Sequence, residues 1–504
     1  MRGYSRALWT LFLLLAACGG GSPPRASEMV ETTPFVRTAL ILYGSFAPTQ
    51  PTTIRRTNGD TVGCYPIRNA ARFHYLQITP GTHGWDRWCE VGQGQVGNAF
   101  EALKQANPGM RIYLYYNGAG VAVGMLGRSP PSYEDGELRW VLQNHGQGSP
   151  ERWIALGRRT GEYLRDRRWG ALWGFMDLGN PNWRRHWIRS RHERAWVRRE
   201  GGHDGRFTDG IFVDDMEWTA SARIPHLIPA SQFDEASYRP RPDAQPDAPD
   251  FYTELRGGSL VHRNDLWQQH YTLWLDEAVP YFRARGLGFA LNPWRVHDPA
   301  QRALYDRHGL LVFEECGFVC QYEMSVEHWE YKLGLFADPG RRFRIVTGNL
   351  VPDTSAPSGL HVPEEGLARM DRSYRGRTGW QWLWFALGSY WLGYSPERED
   401  HFMFSAWGYR DGYWFEEYDP ALLHLGRPLG PAVRAEAGLW WRPFERGFVA
   451  VNANRDPRTL RIPGGGQARL LAHENFRTPG QAPRVSLDAG VELAGHEGTI
   501  LLRE

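Results

Sequence analysis

The fold is decided by one stretch of the sequence, Asp209-Gly210-Ile211-Phe212-Val213-Asp214-Asp215-Met216-Glu217-Trp218. The stretch begins as a short apolar strand and ends in a group of carboxylates. A buried parallel strand with acids at its C-terminal end is typical of (β/α)8 barrels, which carry their reactive side chains there. The alternative is a helix that starts directly after the strand, because acids also stabilise the positive end of a helix dipole.

Similar apolar runs recur along the chain and favour the barrel. Helical or loop segments separate them, and the runs are Thr38–Phe46, Phe73–Thr79, Arg111–Asn117, Ala171–Asp177, Gly210–Asp215, Gly288–Pro293, Leu310–Glu315 and Phe343–Asn349. Eight strands that alternate with helices predict an α/β fold, a closed parallel (β/α)8 TIM barrel. The alternative is an open doubly wound sheet, but Gly44-Ser45-Phe46 in the first run lacks its nucleotide-binding Gly-x-Gly-x-x-Gly pattern.

The predicted barrel extends over residues 36–430 and is followed by a smaller domain at 431–504. Two insertions, 118–150 and 218–262, follow the third and fifth predicted strands, on the side where loops of barrel enzymes shape a substrate cleft. From residue 431 onward, short apolar runs alternate with turns and there is little helical pattern. This composition predicts a C-terminal antiparallel β-sandwich.

The N-terminus predicts export. Arg2 and Arg6 precede the apolar run Ala7–Ala17, which is too short to span a bilayer, and Leu15-Ala16-Ala17-Cys18 follows the pattern of a bacterial lipoprotein signal. We expect residues 1–18 to be the signal, Cys18 to be lipidated, and residues 19–35 to form a tether. The alternative is an ordinary signal peptide. The predicted location is the membrane surface that faces the periplasm or the cell exterior.

The composition excludes some classes of partner. The formal net charge is only +2 and there is no long basic run, so a nucleic-acid partner is not expected. The chain contains 23 Trp and 22 Tyr residues, whose rings can stack on sugars, and this favours carbohydrate. His203, His297 and His401 lack the spacing of a metal site and are expected in loops or at the surface, so no metal or other cofactor is predicted.

Four cysteines follow Cys18 in the sequence. An even number of cysteines in an exported protein predicts disulfides, and of three possible pairings proximity favours Cys64 with Cys89 and Cys316 with Cys320. A zinc site is disfavoured because no Cys-x-x-Cys spacing occurs.

Side-chain alternation ranks the acids at the strand ends. Phe212 and Asp214 share one face of their strand, so we expect Asp214 to face the barrel mouth and Asp215 to point away or to begin the loop. At the seventh predicted strand, one of Glu314 and Glu315 faces the mouth, and the sequence leaves open which one. Asp177 ends the fourth predicted strand and is a third candidate acid.

Acids that converge on one barrel mouth fit glycoside hydrolysis, which needs two carboxyl groups on either side of the scissile bond. The predicted catalytic candidates are Asp214, Glu314, Glu315 and Asp177, and the predicted substrate-binding residues are Asp215, Asn292, Glu217 and Trp218. For each acid taken alone, a helix cap or a salt-bridge partner is the structural alternative.

Five runs in this order resemble a known group of proteins. The runs Phe175-Met176-Asp177-Leu178-Gly179-Asn180-Pro181-Asn182-Trp183 and Asp209–Asp215, followed by Gly426–Pro431, Leu439–Phe444 and Gly447–Asn452, are similar to glycoside hydrolases with TIM barrels. That group includes the hypothetical glycosyl hydrolase family fifteen and polygalactosaminidase-like proteins. The resemblance covers most of residues 38–504 and implies hydrolysis of glycosidic bonds, with Asp214 as the catalytic carboxylate and Asp177 near the site.

The resulting hypothesis is a lipid-anchored glycoside hydrolase that cleaves a polysaccharide at the cell envelope through paired carboxylates. A rival hypothesis is a non-catalytic carbohydrate-binding or envelope-assembly lipoprotein on the same scaffold. The rival predicts that the strand-end acids do not converge. A metal-dependent polysaccharide deacetylase is a weaker rival, because the sequence lacks the His and Asp spacing of its metal ligands.

Overall fold

Eight parallel strands form a closed barrel. The computed structural model describes residues 36–42, 45–47, 52–55, 61–78, 98–124, 133–167, 172–199, 205–222, 224–234, 239–320, 322–351, 368–406, 413–423 and 425–504. In chain order, the barrel strands are Ala39–Leu42, Tyr75–Ile78, Arg111–Asn117, Gly210–Asp214, Gly288–Leu291, Leu311–Glu314, Arg344–Leu350 and His401–Ser405. A parallel bridge between Thr38 and Phe402 closes the first strand onto the eighth. The predicted TIM-barrel fold is therefore confirmed.

Helices connect the strands as the (β/α)8 pattern requires. The helices that follow the eight strands in turn are Ile67–Ala70, Ala99–Ala106, Pro181–His192, Asn264–Arg283, Pro299–His308, Val326–Ala337, Gly379–Gly393 and Pro420–Leu423. Pro181–His192 begins where the sequence indicates: Pro181 occupies the first turn, and the Asn180 side chain accepts hydrogen bonds from the Asn182 and Trp183 backbone N–H groups.

One predicted strand lies outside the barrel. The run Ala171–Asp177 contributes the strand Leu172–Phe175, which pairs antiparallel with Val121–Gly124 in a separate four-stranded sheet. The true eighth barrel strand is His401–Ser405. A short apolar run predicts burial but not the sheet to which the strand belongs. This explains why the sequence analysis assigned Ala171–Asp177 to the barrel instead of His401–Ser405. Asp214 thus ends the fourth barrel strand, and Glu315 follows the sixth.

Strands from both predicted insertions meet in that separate sheet. Its order is Leu227–Pro229, Leu164–Asp166, Leu172–Phe175 and Val121–Gly124. The first insertion also contains the helix Tyr133–His145. Further short strands pair in smaller sheets, namely Ser45–Ala47, Thr52–Arg55, Thr61–Pro66, Phe233–Asp234, Arg239–Pro240, Thr253–Arg256, Ser259–His262, Ser373–Tyr374 and Arg377–Thr378.

The barrel interior is a filled apolar core. Its buried residues are Ala39, Ile41, Tyr75, Tyr113, Tyr115, Phe212, Ala290, Leu311, Phe313, Val346, Leu350 and Met403. Along each strand these inward residues are separated by even numbers of positions, as pleated backbone requires. The residues between them belong to the larger core that lies between the strands and the helices, as Val213 and Val312 do.

Antiparallel strands form the C-terminal β-sandwich, which confirms that part of the predicted fold. Their bounds are Val433–Glu436, Leu439–Phe444, Gly447–Asn452, Arg458–Leu460, Gln467–Leu471, Arg484–Ser486, Val491–Leu493 and Glu497–Arg503. The last strand packs closely on the barrel helix Gly379–Gly393, because a Cβ at Gly498 would lie only 2.3 Å from the Trp384 carbonyl oxygen. The domain bounds given above stay predictions.

Several predicted features lie outside the described residues. These are the signal segment 1–18, Cys18, the tether 19–35, Cys89 and His203. Across the described ranges, no helix is both long enough and apolar enough to cross a membrane.

A buried ion pair joins the last two barrel strands. Asp400 accepts hydrogen bonds from Arg341 Nη1 at 2.9 Å and Nη2 at 2.7 Å, and from the Ile345 backbone N–H at 2.8 Å. Both charged side chains are 1 % exposed. The pair therefore fixes the start of the eighth strand, which directly follows Asp400, against the seventh.

We expect Asp400→Ala to lower the free energy of unfolding by about 3–5 kcal/mol, because it leaves Arg341 buried without its counter-charge. Urea unfolding followed by tryptophan fluorescence measures the change. The matched control is Glu399→Ala, whose half-exposed ion pair with Arg344 should contribute less than about 1 kcal/mol. Equal losses for the two variants would contradict the assigned role of Asp400.

Candidate functional site

Polar side chains from four neighbouring strands meet at the C-terminal end of the barrel. Asn117 ends the third strand and is the register partner of Asp214 on the fourth. Asn292 and Glu315 directly follow the fifth and sixth strands. Each extends the inward row of its own strand, two residues beyond Tyr115, Phe212, Ala290 and Phe313 respectively.

Asn292 bridges the two acids. Its Nδ2 atom donates to Asp214 Oδ1 at 2.8 Å and to Glu315 Oε2 at 3.1 Å. The Trp294 backbone N–H donates to Asn292 Oδ1 at 2.8 Å, which fixes the orientation of the amide and keeps its nitrogen towards the carboxylates. The Tyr115 hydroxyl donates to Asp214 Oδ2 at 2.7 Å, so both oxygens of Asp214 are hydrogen-bonded.

The shared amide sets the distance between the carboxyl groups. Two oxygens that accept from one nitrogen at these lengths lie no more than about 6 Å apart, and about 5 Å apart if each takes one of the two amide hydrogens. Retaining glycosidases hold their two carboxyls about 5–5.5 Å apart, whereas inverting enzymes need about 6.5–9.5 Å for an intervening water. The limit on the distance between Asp214 Oδ1 and Glu315 Oε2 is close to the shorter spacing.

Asp214 keeps its proton to a higher pH than an ordinary aspartate does. Burial, followed by the negative charge of Glu315, raises the pKa of Asp214 from 3.8 to about 6. Hydrogen bonds from Tyr115, the Asp215 backbone and Asn292 act in the opposite direction, because they stabilise the anion. The carboxyl of Asp214 is therefore still protonated in a large fraction of molecules near pH 6, where an ordinary aspartate would be ionised.

Glu314 lies on the opposite side of its strand from this site. It is buried at 5 % exposure and forms an ion pair with Lys332 of the helix Val326–Ala337, whose side chain is also buried. The prediction that Glu314 is catalytic is therefore wrong, because its carboxylate faces the helix layer. Of the two adjacent glutamates, Glu315 is the one that joins Asp214.

Asp177 is held by a different set of contacts. Its Oδ1 atom accepts from the Gly179 backbone N–H at 2.8 Å and from the Tyr252 hydroxyl at 3.0 Å. It follows the strand Leu172–Phe175 of the separate antiparallel sheet. The expectation that Asp177 ends a barrel strand is thus wrong, and its carboxylate stabilises the turn before the helix Pro181–His192.

The residues after Asp214 take structural positions. Asp215 adopts a left-handed backbone conformation with φ 56°, which begins the loop. The Glu217 side chain is buried, and its carbonyl oxygen accepts from Trp267 Nε1 at 3.0 Å. Trp218 is buried against Tyr271, so its ring has no open face for a sugar, contrary to its predicted substrate-binding role.

Other aromatic side chains are accessible on this side of the barrel. Trp294 and Tyr322, in the loops that follow the fifth and sixth strands, are 42 % and 36 % exposed. Arg295 connects the two loops by donating from Nη2 to the Tyr322 hydroxyl at 2.8 Å. Flat exposed rings beside an acid pair suit the apolar faces of sugars.

A short covalent loop follows Glu315. Cys316 and Cys320 form a disulfide with a Cα–Cα distance of 4.9 Å. Asn349 Oδ1 accepts from the Phe318 and Val319 backbone N–H groups at 2.7 and 3.2 Å, which fixes the loop on the seventh strand. The loop lines a cleft of about 460 Å³ that continues to the C-terminal sandwich and is also bordered by Arg375, Arg377, Arg455 and His496.

The structure brings together Asp214, Asn292 and Glu315, which the sequence analysis named, and adds Tyr115, which it did not name. The signal was present, because Tyr115 lies two residues before Asn117 on a strand whose alternate positions face inward. Within the described residues, no group of three or more His, Cys, Asp or Glu side chains could hold a metal ion.

Comparisons with known proteins found similarity in three-dimensional structure but not in sequence. No family model matches the chain, and no curated protein sequence matches it. The structural neighbours include several glycoside hydrolases. A GH27 β-L-arabinopyranosidase from Geobacillus stearothermophilus is 11 % identical with a TM-score of 0.44, and the match covers 93 % of this chain and 97 % of that one.

Two further neighbours share this overall arrangement. A noncanonic maltogenic α-amylase from Thermotoga neapolitana is 12 % identical with a TM-score of 0.42, over 92 % of this chain and 99 % of that one. A xylosidase from Aspergillus niger is 9 % identical with a TM-score of 0.43, over 94 % and 65 %. These likenesses describe the fold alone, so the function is argued from the site.

Proposed function

We propose that the protein is a glycoside hydrolase that cleaves a polysaccharide, with Asp214 and Glu315 as its catalytic pair. The observation that carries the proposal is the single amide, Asn292 Nδ2, that donates to both carboxylates and keeps the two accepting oxygens within about 6 Å of each other, close to the spacing of a retaining glycosidase. The raised pKa of Asp214 supports it, since the reaction needs one protonated and one ionised carboxyl. Trp294 and Tyr322 would stack on the sugar rings.

The chemistry follows from this pair. The protonated carboxyl donates its proton to the glycosidic oxygen while the C–O bond breaks, and the ionised carboxylate attacks the anomeric carbon. The resulting glycosyl ester is then hydrolysed by water, whose proton passes to the first carboxylate. Asn292 and Tyr115 orient the acids and stabilise their anionic forms in both steps.

The proposed location is the cell envelope. The sequence Leu15-Ala16-Ala17-Cys18 supports lipidation of Cys18 and anchoring to a membrane that faces the periplasm or exterior. We expect the wild-type protein to sediment with membranes and Cys18→Ser to be recovered mainly in the soluble or unprocessed precursor fraction. Labelling with a radioactive fatty acid checks the modification directly, and equal labelling of both proteins would exclude Cys18 as the acceptor.

The proposed activity is tested by incubating the purified protein with a panel of neutral and acidic polysaccharides and measuring new reducing ends. Release is expected from at least one glycan, and ¹H NMR of the first product should show the anomeric configuration of the substrate. Inversion would contradict the paired geometry. Glycan binding without release, under conditions that leave the protein folded, would favour the carbohydrate-binding alternative.

The pH dependence of kcat/KM should report the shared proton. Because the pKa of Asp214 is about 6, the required protonated form is lost as the pH rises through 6, and activity should fall above that value. Asn292→Ala removes a donor that stabilises both anions, so the pH at which activity falls should rise by about one unit. Asn144→Ala, at an exposed helical position, is the control. If activity of Asn292→Ala falls at the same pH as that of the wild type, the bridging role of Asn292 is refuted.

A further inference from the structure

A second polar cavity lies at the opposite end of the barrel from the acid pair. It has a volume of about 360 Å³ and is lined by the first residues of several strands, including Tyr75, Arg111, Gly288, Arg344 and His401. Gly288 makes room for Tyr113 in the cavity wall, since a Cβ there would lie 1.8 Å from the Tyr113 hydroxyl. The cavity is large enough for a ligand as well as water.

Two buried polar groups at this cavity lack a partner. Tyr75 and His401 are 1 % and 6 % exposed, and within the described part of the chain neither the Tyr75 hydroxyl nor His401 Nδ1 has a hydrogen-bond partner. The two rings contact each other at 5.5 Å between centroids, and the Tyr113 ring lies 5.2 Å from Tyr75. Buried polar groups are normally hydrogen-bonded, so unpaired groups beside a cavity indicate a ligand.

The charges around the cavity are mainly positive. Three arginines and two acids line it, and the acids already have partners: Glu399 pairs with Arg344 at 2.9 Å, and Asp209 pairs with Lys104 at 2.6 Å. Arg37 donates instead to the neutral carbonyl oxygen of Arg398. Its positive charge is therefore not neutralised by a carboxylate among the described residues.

Burial and the nearby positive charges lower the pKa values of the two imidazoles at this cavity. Burial, together with Arg37, lowers the pKa of His74 to about 4. Burial, His74 and Arg37 lower the pKa of His401 to about 3. Both rings are thus neutral at physiological pH, and the His401 imidazole can present an N–H donor without adding charge.

We propose that this cavity binds a small oxyanion of the phosphate or sulfate class, with hydrogen bonds from Tyr75 and His401 and charge compensation from Arg37. Hydroxyl, imidazole and guanidinium donors around one space complement such an anion. The site is independent of the proposed hydrolase activity, because it lies at the N-terminal ends of the strands. It also gives a role to His401, which the sequence analysis assigned to a loop or the surface and which lies buried on the eighth strand.

The proposal is tested by isothermal titration of the full-length protein with inorganic phosphate and with sulfate, at constant ionic strength in sodium chloride. Saturable binding is expected, and Tyr75→Phe and Arg37→Gln should each weaken it by about tenfold or more, the effect of losing a hydrogen bond to a charged group. Arg458→Gln changes the same charge at an exposed position of the C-terminal sandwich and should bind as the wild type does.

Thermal unfolding gives a second measurement, which remains informative even if a substitution changes the stability of the ligand-free protein. Tyr75→Phe removes a buried hydroxyl without a partner, so without the anion it should be at least as stable as the wild type. Added phosphate should then raise the melting temperature of the wild type more than that of Tyr75→Phe. Equal responses of the two proteins, or no response beyond that to sodium chloride, would show that the cavity holds only water and would overturn the proposal.

Discussion

Replacing Asp214 with Asn is expected to lower kcat/KM by about 1,000-fold or more. The amide keeps nearly the same shape and can still meet Tyr115 and Asn292, but it can neither donate a proton of suitable acidity nor form a glycosyl ester. A positioned acid or base contributes about 10²–10⁴-fold, and loss of a nucleophile removes the covalent route altogether. Initial rates of reducing-end release, with wild type and variant at equal concentration, measure the loss.

The stability of Asp214→Asn separates a catalytic from a structural role. In the folded protein the pKa of Asp214 is raised from 3.8 to about 6, so its ionisation opposes folding, and this penalty builds up between these two pH values and is fully present at pH 7. The variant lacks this penalty and also the repulsion from Glu315. We therefore expect its urea midpoint at pH 7 to equal or exceed that of the wild type. Lower activity together with lower stability would contradict the assignment.

The role of Asp214 within the pair can then be identified chemically. The Asp214→Ala variant, supplied with azide and a substrate that has a good leaving group, opens space for azide at the missing carboxylate. If Asp214 is the nucleophile, the glycosyl azide has the inverted anomeric configuration; if it is the acid–base group, the configuration is retained. Absence of azide product, despite intact folding and substrate binding, would weigh against both roles.

The sequence predicted the positions of the acids where local geometry was sufficient. Period-two alternation from Phe212 places Asp214 inside the barrel, and the buried row Leu311 and Phe313 leads to Glu315 in the same way. The sequence alone left Glu314 and Glu315 equivalent, because every residue from Leu310 to Phe313 is apolar and therefore marks no preferred face. The deciding contact, between Glu314 and Lys332, depends on how a later helix packs.

The wrongly assigned barrel strand and the wrong position predicted for Asp177 share one physical cause. Leu172–Phe175 and His401–Ser405 are similar short apolar runs, and only their hydrogen-bond partners distinguish a barrel strand from a strand of an inserted sheet. Those partners are distant in the sequence: Val121–Gly124 pairs with the first run, and Arg344–Leu350 with the second. Strand pairing of this kind is set by tertiary packing, so Asp177 could not be excluded from the site by pattern alone.

Adjacent residues of one sequence doublet should give opposite phenotypes. Glu315→Gln is expected to lower kcat/KM by about 1,000-fold with little change in stability, because it removes an acid at the barrel mouth. Glu314→Gln is expected to keep kcat/KM close to that of the wild type, since its side chain faces the helices. The two variants make the same chemical change one position apart, so each is the control for the other.

The stability of Glu314→Gln completes the comparison. Lys332 is 4 % exposed, and without Glu314 its ammonium group would be left buried and uncompensated, which costs about 3–5 kcal/mol. Unfolding in urea at pH 7 should show this loss, and the double variant Glu314→Gln/Lys332→Met should recover most of it, because it removes the unpaired charge while keeping the volume of the side chain.

The decisive result is the pattern across the three proteins. Activity lost only in Glu315→Gln and stability lost only in Glu314→Gln assigns the doublet as the structure does, whereas a stable but inactive Glu314→Gln would place the catalytic carboxyl on the other face of the sixth strand.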